Sequence, residues 1–152
     1  MESIGALIVA LIGAGVGAYF AILKSRKERL WVDRYETLRD IVISLGIIES
    51  AFSSSHMEQL GVSVMGRVES QKLQEEWPVA MHMLRQNLAK LRLLFKDDLI
   101  AKLRASVAEL HSAFTDMYHG EQLHMPELHE TVAQRASYAA EEAIRVAQEN
   151  CL

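Results

Sequence analysis

The chain has 152 residues and a mass of 17.1 kDa, a length typical of one domain or of one domain with an added segment. Half of its residues are apolar, about a quarter are charged and only two are prolines, which excludes a disordered chain, a collagen and a disulfide scaffold. The net charge of −4 argues against a protein that coats nucleic acid. The single cysteine, Cys151, cannot form an internal disulfide.

An uncharged apolar run, IGALIVALIGAGVGAYFAIL, occupies residues 4–23. A helix of that length spans about 30 Å, the thickness of the hydrocarbon core of a bilayer. A cleaved signal peptide would place basic residues before a shorter run, and a buried helix of a soluble core is usually shorter as well. The sequence therefore predicts a transmembrane anchor over residues 1–23 and a helical body over residues 24–152.

Basic residues follow this run directly, and the only charged side chain before it is Glu2. The residues that we assign to the membrane surface are Lys24, Arg26, Lys27 and Arg29. Because basic segments are retained in the cytoplasm, we expect a protein of the inner membrane with its N-terminus outside and its body in the cytoplasm.

Small residues recur at spacings of three and four within the apolar run, which places them on one face of a helix. They are Ala6, Ala10, Gly13, Gly17 and Ala21. Small residues allow helices to approach closely in lipid, and Gly13 with Gly17 forms a GxxxG pair. The pattern predicts a homo-oligomer that assembles through this face, although glycine and alanine are common in any membrane helix.

The rest of the chain shows four stretches in which apolar residues recur every three or four positions, the period of an amphipathic helix. The first stripe is Trp31, Tyr35, Leu38, Val42, Leu45, Ile48 and Phe52. The second is Leu73, Trp77, Met81, Leu84, Leu88, Leu91 and Phe95. The third is Leu99, Leu103, Val107, Leu110, Phe114 and Met117. The fourth is Leu128, Val132, Ala136, Ala139, Ala143 and Val146.

We therefore predict an all-α protein in which the transmembrane helix continues into an up-and-down antiparallel four-helix bundle. The first helix is expected to break at residues 53–56, where Ser55 and Glu58 have capping-box spacing. We expect a kink or restart at Pro78, an aspartate cap after Lys96, and a helix that begins at Pro126.

Charge is distributed unevenly along the body. Residues 24–34 carry five basic and two acidic side chains, and residues 85–104 carry six basic and two acidic ones. Residues 105–152 carry two basic and eight acidic side chains. In an up-and-down bundle the two basic segments would both lie near anionic headgroups, whereas the alternative is ordinary solvated helix faces.

Arg104 and His111 are separated by six residues, a spacing within the R-x4–6-H signature of HEPN ribonucleases. In that chemistry the pair would position and deprotonate a ribose 2′-hydroxyl. About one such match is expected by chance in a chain of this composition, so the sequence favours a structural role for both residues and a protein that is not an enzyme. A membrane-tethered ribonuclease that uses Arg104 and His111 is the alternative.

Three histidines, His119, His124 and His129, straddle a glycine and a proline around the predicted loop between the last two helices. Their spacing of five does not suit a helical metal pair, and we predict a polar loop with no metal and no cofactor. A response to pH is an alternative role, since histidine titrates near neutrality.

This layout, with an N-terminal anchor, a helical body and the Arg104–His111 motif, resembles small membrane effectors of bacterial phage-defence systems. It is similar to the membrane accessory proteins of type VI-B CRISPR loci. The resemblance implies a HEPN-like helical body, ring-shaped oligomers and a role in antiviral defence. We expect a non-enzymatic effector that perturbs or permeabilises the membrane, or a subunit that docks a cytoplasmic protein there, with the lipid bilayer as partner and no nucleic acid.

Overall fold

The computed structural model describes the backbone of residues 2–63, 65–119 and 125–151, and the side chains of residues 19–63, 65–118 and 125–150. Every regular element in these ranges is an α-helix, which confirms the all-α prediction. The helices are α1 (Glu2–Gln59), α2 (Arg67–Leu94), α3 (Asp97–His119) and α4 (Pro126–Cys151). The chain divides into two compact units, Met1–Asp33 and Arg34–Leu152, and α1 contributes to both.

The first unit consists of the N-terminal part of α1. Its described apolar side chains are largely exposed, with Tyr19 and Phe20 more than 60% accessible. Over the residues whose side chains are described, no helix has an apolar stretch long enough to cross a membrane. The predicted anchor covers residues 4–23, and the side chains of its residues 4–18 lie outside the described part of the chain.

The second unit is a four-helix arrangement around one apolar core. Its most deeply buried large side chains come from all four helices and include Ile41, Leu84, Leu103 and Val132. The face of α4 is built from small side chains, as the sequence predicts: Ala133, Ala136, Ala139 and Ala143 are buried. Alanine at these positions removes side-chain bulk, so the helices that pack on α4 can approach closely.

Contacts between the ends of the helices establish that neighbours run antiparallel. The Nε of Arg34, at the start of this unit, donates a 2.9 Å hydrogen bond to the carbonyl oxygen of Leu94, at the end of α2. At the opposite end, Ser70 donates to a carboxylate oxygen of Glu58 at 2.6 Å, joining the beginning of α2 to the end of α1.

The first turn of α4 is joined to the end of α1 in the same way. The Nδ1 atom of His56 lies 2.7 Å from the carbonyl oxygen of Pro126. Since a carbonyl oxygen only accepts hydrogen bonds, Nδ1 carries the proton in this bond. An ion pair between Arg135 and Glu109 then joins α4 to α3 at 2.6 Å. These contacts join the four helices into one bundle.

The predicted break at residues 53–56 is wrong, because α1 continues through this polar stretch to Gln59. Ser54 is buried and His56 bonds to Pro126, so tertiary contacts outweigh the weak helix preference of the serines. The helix ends instead in a Schellman motif. The amide of Val62 donates to the carbonyl of Met57 and that of Gly61 to the carbonyl of Glu58, with Gly61 at φ +79°.

Smaller corrections concern the ends of the predicted stripes. Trp31, Tyr35 and Leu99 were expected in the core, but each is more than 40% exposed. Ile100 takes the core position expected for Leu99, because a step of three and a step of four before Leu103 both satisfy the helical period.

The restart predicted at Pro78 does not occur, since α2 is unbroken across it. The predicted aspartate cap is also displaced: Asp97 and Asp98 lie in the first turn of α3, where acidic side chains interact favourably with the helix dipole.

Replacing Gly61, just after the end of α1, and Gly46, inside α1, by alanine should change the free energy of unfolding in opposite directions. Gly61→Ala should lower the free energy of unfolding by about 1 kcal/mol, because a Cβ is strained at positive φ. Gly46→Ala is the matched control: it lies inside α1 with nothing within 4 Å of the added Cβ, so it should raise the free energy by about 0.5–1 kcal/mol. Chemical unfolding of the full chain, followed by circular dichroism, measures both. A Gly61→Ala protein as stable as the parent would contradict the assigned end of α1.

Candidate functional site

An open groove between α2 and α3 is the site that combines cationic side chains with an apolar floor. It has a volume of about 370 Å³, within the range of small-molecule sites. Its cationic and titratable lining residues are Arg85, Arg92, Arg104 and His111. No aspartate or glutamate lines it.

The antiparallel pairing of α2 and α3 brings these four residues together. Arg85 and Arg92 are seven residues apart on α2, and Arg104 and His111 are seven apart on α3, so each pair lies nearly on one helical face. The tight turn at Phe95 and Lys96 sets the register of the two helices. In that register Arg85 lies beside His111, and Arg92 lies at the level of Arg104. These two levels are about 10 Å apart along the helix axes.

The four side chains differ in their partners. One terminal nitrogen of Arg85 lies 3.4 Å from Nε2 and 3.5 Å from Nδ1 of His111, at the edge of hydrogen-bonding distance. Arg104 forms a 2.9 Å ion pair with Asp97, whose side chain is 80% exposed. Within the described residues no carboxylate pairs with Arg85 or Arg92. Two guanidinium groups therefore face the groove with uncompensated charge.

The floor of the groove is aliphatic. It is formed by Met81, Leu84, Leu88, Val107 and Leu110, together with the short side chains of Ala89 and Ala108. Leu84 and Leu110 belong to the buried core, so the floor is fixed by the packing of the bundle. No aromatic ring lines this groove. The arrangement is suited to a ligand with an anionic group and an aliphatic part.

Two arginines outside the groove have raised pKa values. A hydrogen bond to Asp40 raises the pKa of Arg39, and a hydrogen bond to Glu142 raises the pKa of Arg145. Both arginines form these bonds with residues on their own helix. The acidic C-terminal helix thus compensates part of its charge locally, as expected for a solvated helix face.

The small and basic residues that the sequence singles out on the first helix do not line the groove. Ala21, Lys24, Arg26, Lys27 and Arg29 are exposed on α1. The side chains of Ala6, Ala10, Gly13 and Gly17 lie outside the described residues.

Of His119, His124 and His129, only His129 has a described side chain. His124 and the side chain of His119 lie outside the described residues, whereas His129 is not a loop residue: it is buried on α4, 5.6 Å from the ring of Phe52. The described residues contain no group of three side chains that could hold a metal ion.

Arg85 and Arg92 are the groove residues that the sequence analysis did not single out. They fall within the basic segment 85–104, which the sequence places either near anionic headgroups or on ordinary solvated helix faces. A signal was available, since residue pairs 85/111 and 92/104 are both centred on residue 98, near the predicted turn. Two pairs of basic residues that are placed symmetrically about the same turn are expected to lie on one face of a helical hairpin.

Comparisons with protein-family models, with curated proteins and with solved structures give no match to this chain. The assignment of a function therefore depends on the residues and geometry described above.

Proposed function

We propose that this protein is a single-pass membrane protein whose helical bundle lies in the cytoplasm and acts without catalysis. It works at the inner membrane either as an oligomeric effector that perturbs the bilayer or as a subunit that docks a cytoplasmic protein. The observation that carries this proposal is the uncharged run of residues 4–23 followed directly by a basic segment. Its length matches the bilayer, and the position of the basic residues sets the orientation.

The described part of α1 supports an interfacial position for residues 19–32. Tyr19, Phe20 and Trp31 expose between 47% and 63% of their surface, and basic residues lie between them in the chain. Aromatic and basic side chains together are typical of the boundary between lipid and water. Exposed aromatic side chains on a helix are costly in water, whereas headgroups accommodate both the rings and the charges.

The proposed place in antiviral defence rests on the layout of the chain, which is similar to that of the membrane accessory proteins named above. In this proposal the anchors associate through the face that contains Gly13 and Gly17, and the bundles project into the cytoplasm. An assembly of apolar anchors could close and open by dewetting, because the run of residues 4–23 contains no charged side chain to line a pore.

A ribonuclease is the second candidate, favoured by one observation: Arg104 and His111 line the same groove. His111 would act as the base that removes the 2′-hydroxyl proton, and Arg104 would stabilise the charge on the phosphate. Against this candidate, Arg104 is already paired with Asp97, and the groove has no aromatic side chain on which a base could stack. We therefore place it second.

The proposed orientation predicts the behaviour of fusions to the C-terminus. Alkaline phosphatase fused after Leu152 should be inactive and a fluorescent protein fused there should be bright, because the basic segment keeps the body in the cytoplasm. Replacing Lys24, Arg26, Lys27 and Arg29 by glutamine should shift both signals towards the opposite orientation. An active phosphatase fusion of the parent chain would overturn the topology.

If the anchors associate through the small-residue face, leucine should disrupt the oligomer when it replaces glycines on that face but not when it replaces glycines elsewhere in the anchor. The double variant Gly13→Leu, Gly17→Leu should dissociate to smaller species, since each lost close contact costs about 1–2 kcal/mol. The variant Gly5→Leu, Gly15→Leu is the matched control, because these glycines lie away from that face by helical periodicity. Light scattering of the detergent-solubilised proteins gives the masses. An unchanged mass of the first variant would show that the bundle, and not the anchor, assembles the protein.

An assay with purified protein distinguishes the two candidates. We expect the full chain to leave a single-stranded RNA oligonucleotide intact, so that the parent, Arg104→Ala and His111→Ala proteins give equal product by gel electrophoresis. His82→Ala, which replaces an exposed histidine on α2 outside the groove, is the control. Cleavage by the parent and by His82→Ala, but not by His111→Ala, would make the ribonuclease the preferred function.

A further inference from the structure

We propose that the groove between α2 and α3 binds an anionic amphiphile, an aliphatic chain that ends in a phosphate or carboxylate group. The anionic group lies against the guanidinium groups of Arg85 and Arg92, and the chain lies along the floor formed by Leu84, Leu88 and Val107. This inference does not rest on the proposed function, because the groove belongs to the bundle and is independent of the anchor.

Charge is the first argument. Arg85, Arg92 and Arg104 line one groove of about 370 Å³ that no acidic side chain lines. Three guanidinium groups on neighbouring helices repel one another, and only Arg104 has a carboxylate partner among the described residues. An anion bound between the helices would relieve this repulsion. Guanidinium groups suit it well, since each can donate two parallel hydrogen bonds to a phosphate or carboxylate.

The chemistry of the floor is the second argument, and it selects among anions. Single-stranded nucleic acids are bound chiefly by stacking of their bases on aromatic side chains, and no aromatic ring lines this groove. Its floor is made of methionine, leucine, valine and alanine side chains, and it extends from Met81 to Arg92, about 16 Å along α2. Each methylene group of a ligand that is buried there is removed from water, so an aliphatic chain gains affinity that inorganic phosphate cannot.

The rigidity of the floor is the third argument. Leu84 and Leu110 are at most 1% exposed and are held by the core, and the turn at Phe95 and Lys96 fixes the spacing of α2 and α3. The guanidinium of Arg34 also lies over the ring of Phe95, 4.8 Å from its centroid, which anchors this turn to α1. The groove is thus formed before a ligand arrives, and binding requires little ordering of the protein.

Decyl phosphate, used below the concentration at which it forms micelles, is the probe. The full chain in phosphatidylcholine nanodiscs is titrated by calorimetry, and the heat measured with empty nanodiscs is subtracted. We expect saturable binding to one site per chain. Decanol, which has the chain without the charge, and inorganic phosphate, which has the charge without the chain, should each bind at least tenfold more weakly. Equal affinity for either one would overturn the proposal.

Variants locate the site. Arg85→Gln and Arg92→Gln should each weaken decyl phosphate binding about tenfold, the effect of losing one charge-assisted hydrogen-bonding group. Arg67→Gln, at the exposed start of α2 and outside the groove, should not change it. Ala108→Trp should block the groove without changing its charge, and Ala105→Trp, on an exposed position of α3 outside the groove, is its control. Unchanged binding to Arg85→Gln, Arg92→Gln and Ala108→Trp would overturn the proposal.

Changing the lipid of the nanodiscs distinguishes two sources of the amphiphile, the membrane lipid and a free amphiphile. If phosphatidylglycerol nanodiscs weaken the apparent affinity for decyl phosphate relative to phosphatidylcholine, the groove takes its ligand from membrane lipid. If the affinity is unchanged, the ligand is a free amphiphile such as a fatty acid. Either result supports the groove as the binding site. Neither depends on whether the anchors associate or on which way they are oriented.

Discussion

The convergence of all four helices on the ring of Phe52 is the interaction on which the rest of the bundle depends. Phe52 of α1 lies 5.4 Å from the rings of both Trp77 of α2 and Phe114 of α3, and 5.6 Å from the ring of His129 of α4. The contacts with Trp77 and Phe114 are edge-to-face, and each such contact stabilises by about 0.5–1.5 kcal/mol beyond the burial of its surface. A single side chain therefore sets the register of α1 against three partners that are distant in sequence.

This register explains the two polar connections at the same end of the bundle. With Phe52 in place, the next turn of α1 brings His56 to the carbonyl of Pro126 and Glu58 to the hydroxyl of Ser70. These bonds satisfy polar groups at the starts of α2 and α4 without exposing the core. They also account for the continuation of α1 through three consecutive serines, since the helix must extend far enough to make both contacts.

The other end of the bundle is organised by Arg34 and the turn between α2 and α3. Arg34 donates to the last carbonyl of α2 and covers the ring of Phe95, so one side chain both caps a helix and shields an aromatic residue. The groove lies along the hairpin that begins at this turn. The same short turn that brings α2 and α3 together also concentrates the guanidinium groups of Arg85, Arg92 and Arg104 on one surface.

The sequence by itself determined the helical class, the start of α4 and most of the core, because these depend on local period and on turn residues such as Pro126. It also identified Arg104 and His111 as residues on one face of α3. Only the tertiary structure decided that His129 is buried, that α1 passes through residues 53–56 and that Arg85 meets His111. Each of these depends on contacts between helices that lie 26 to 77 residues apart in the chain. Helical period specifies which face of a segment is apolar, but the packing of bulky rings such as Phe52 and Trp77 specifies which segment that face meets.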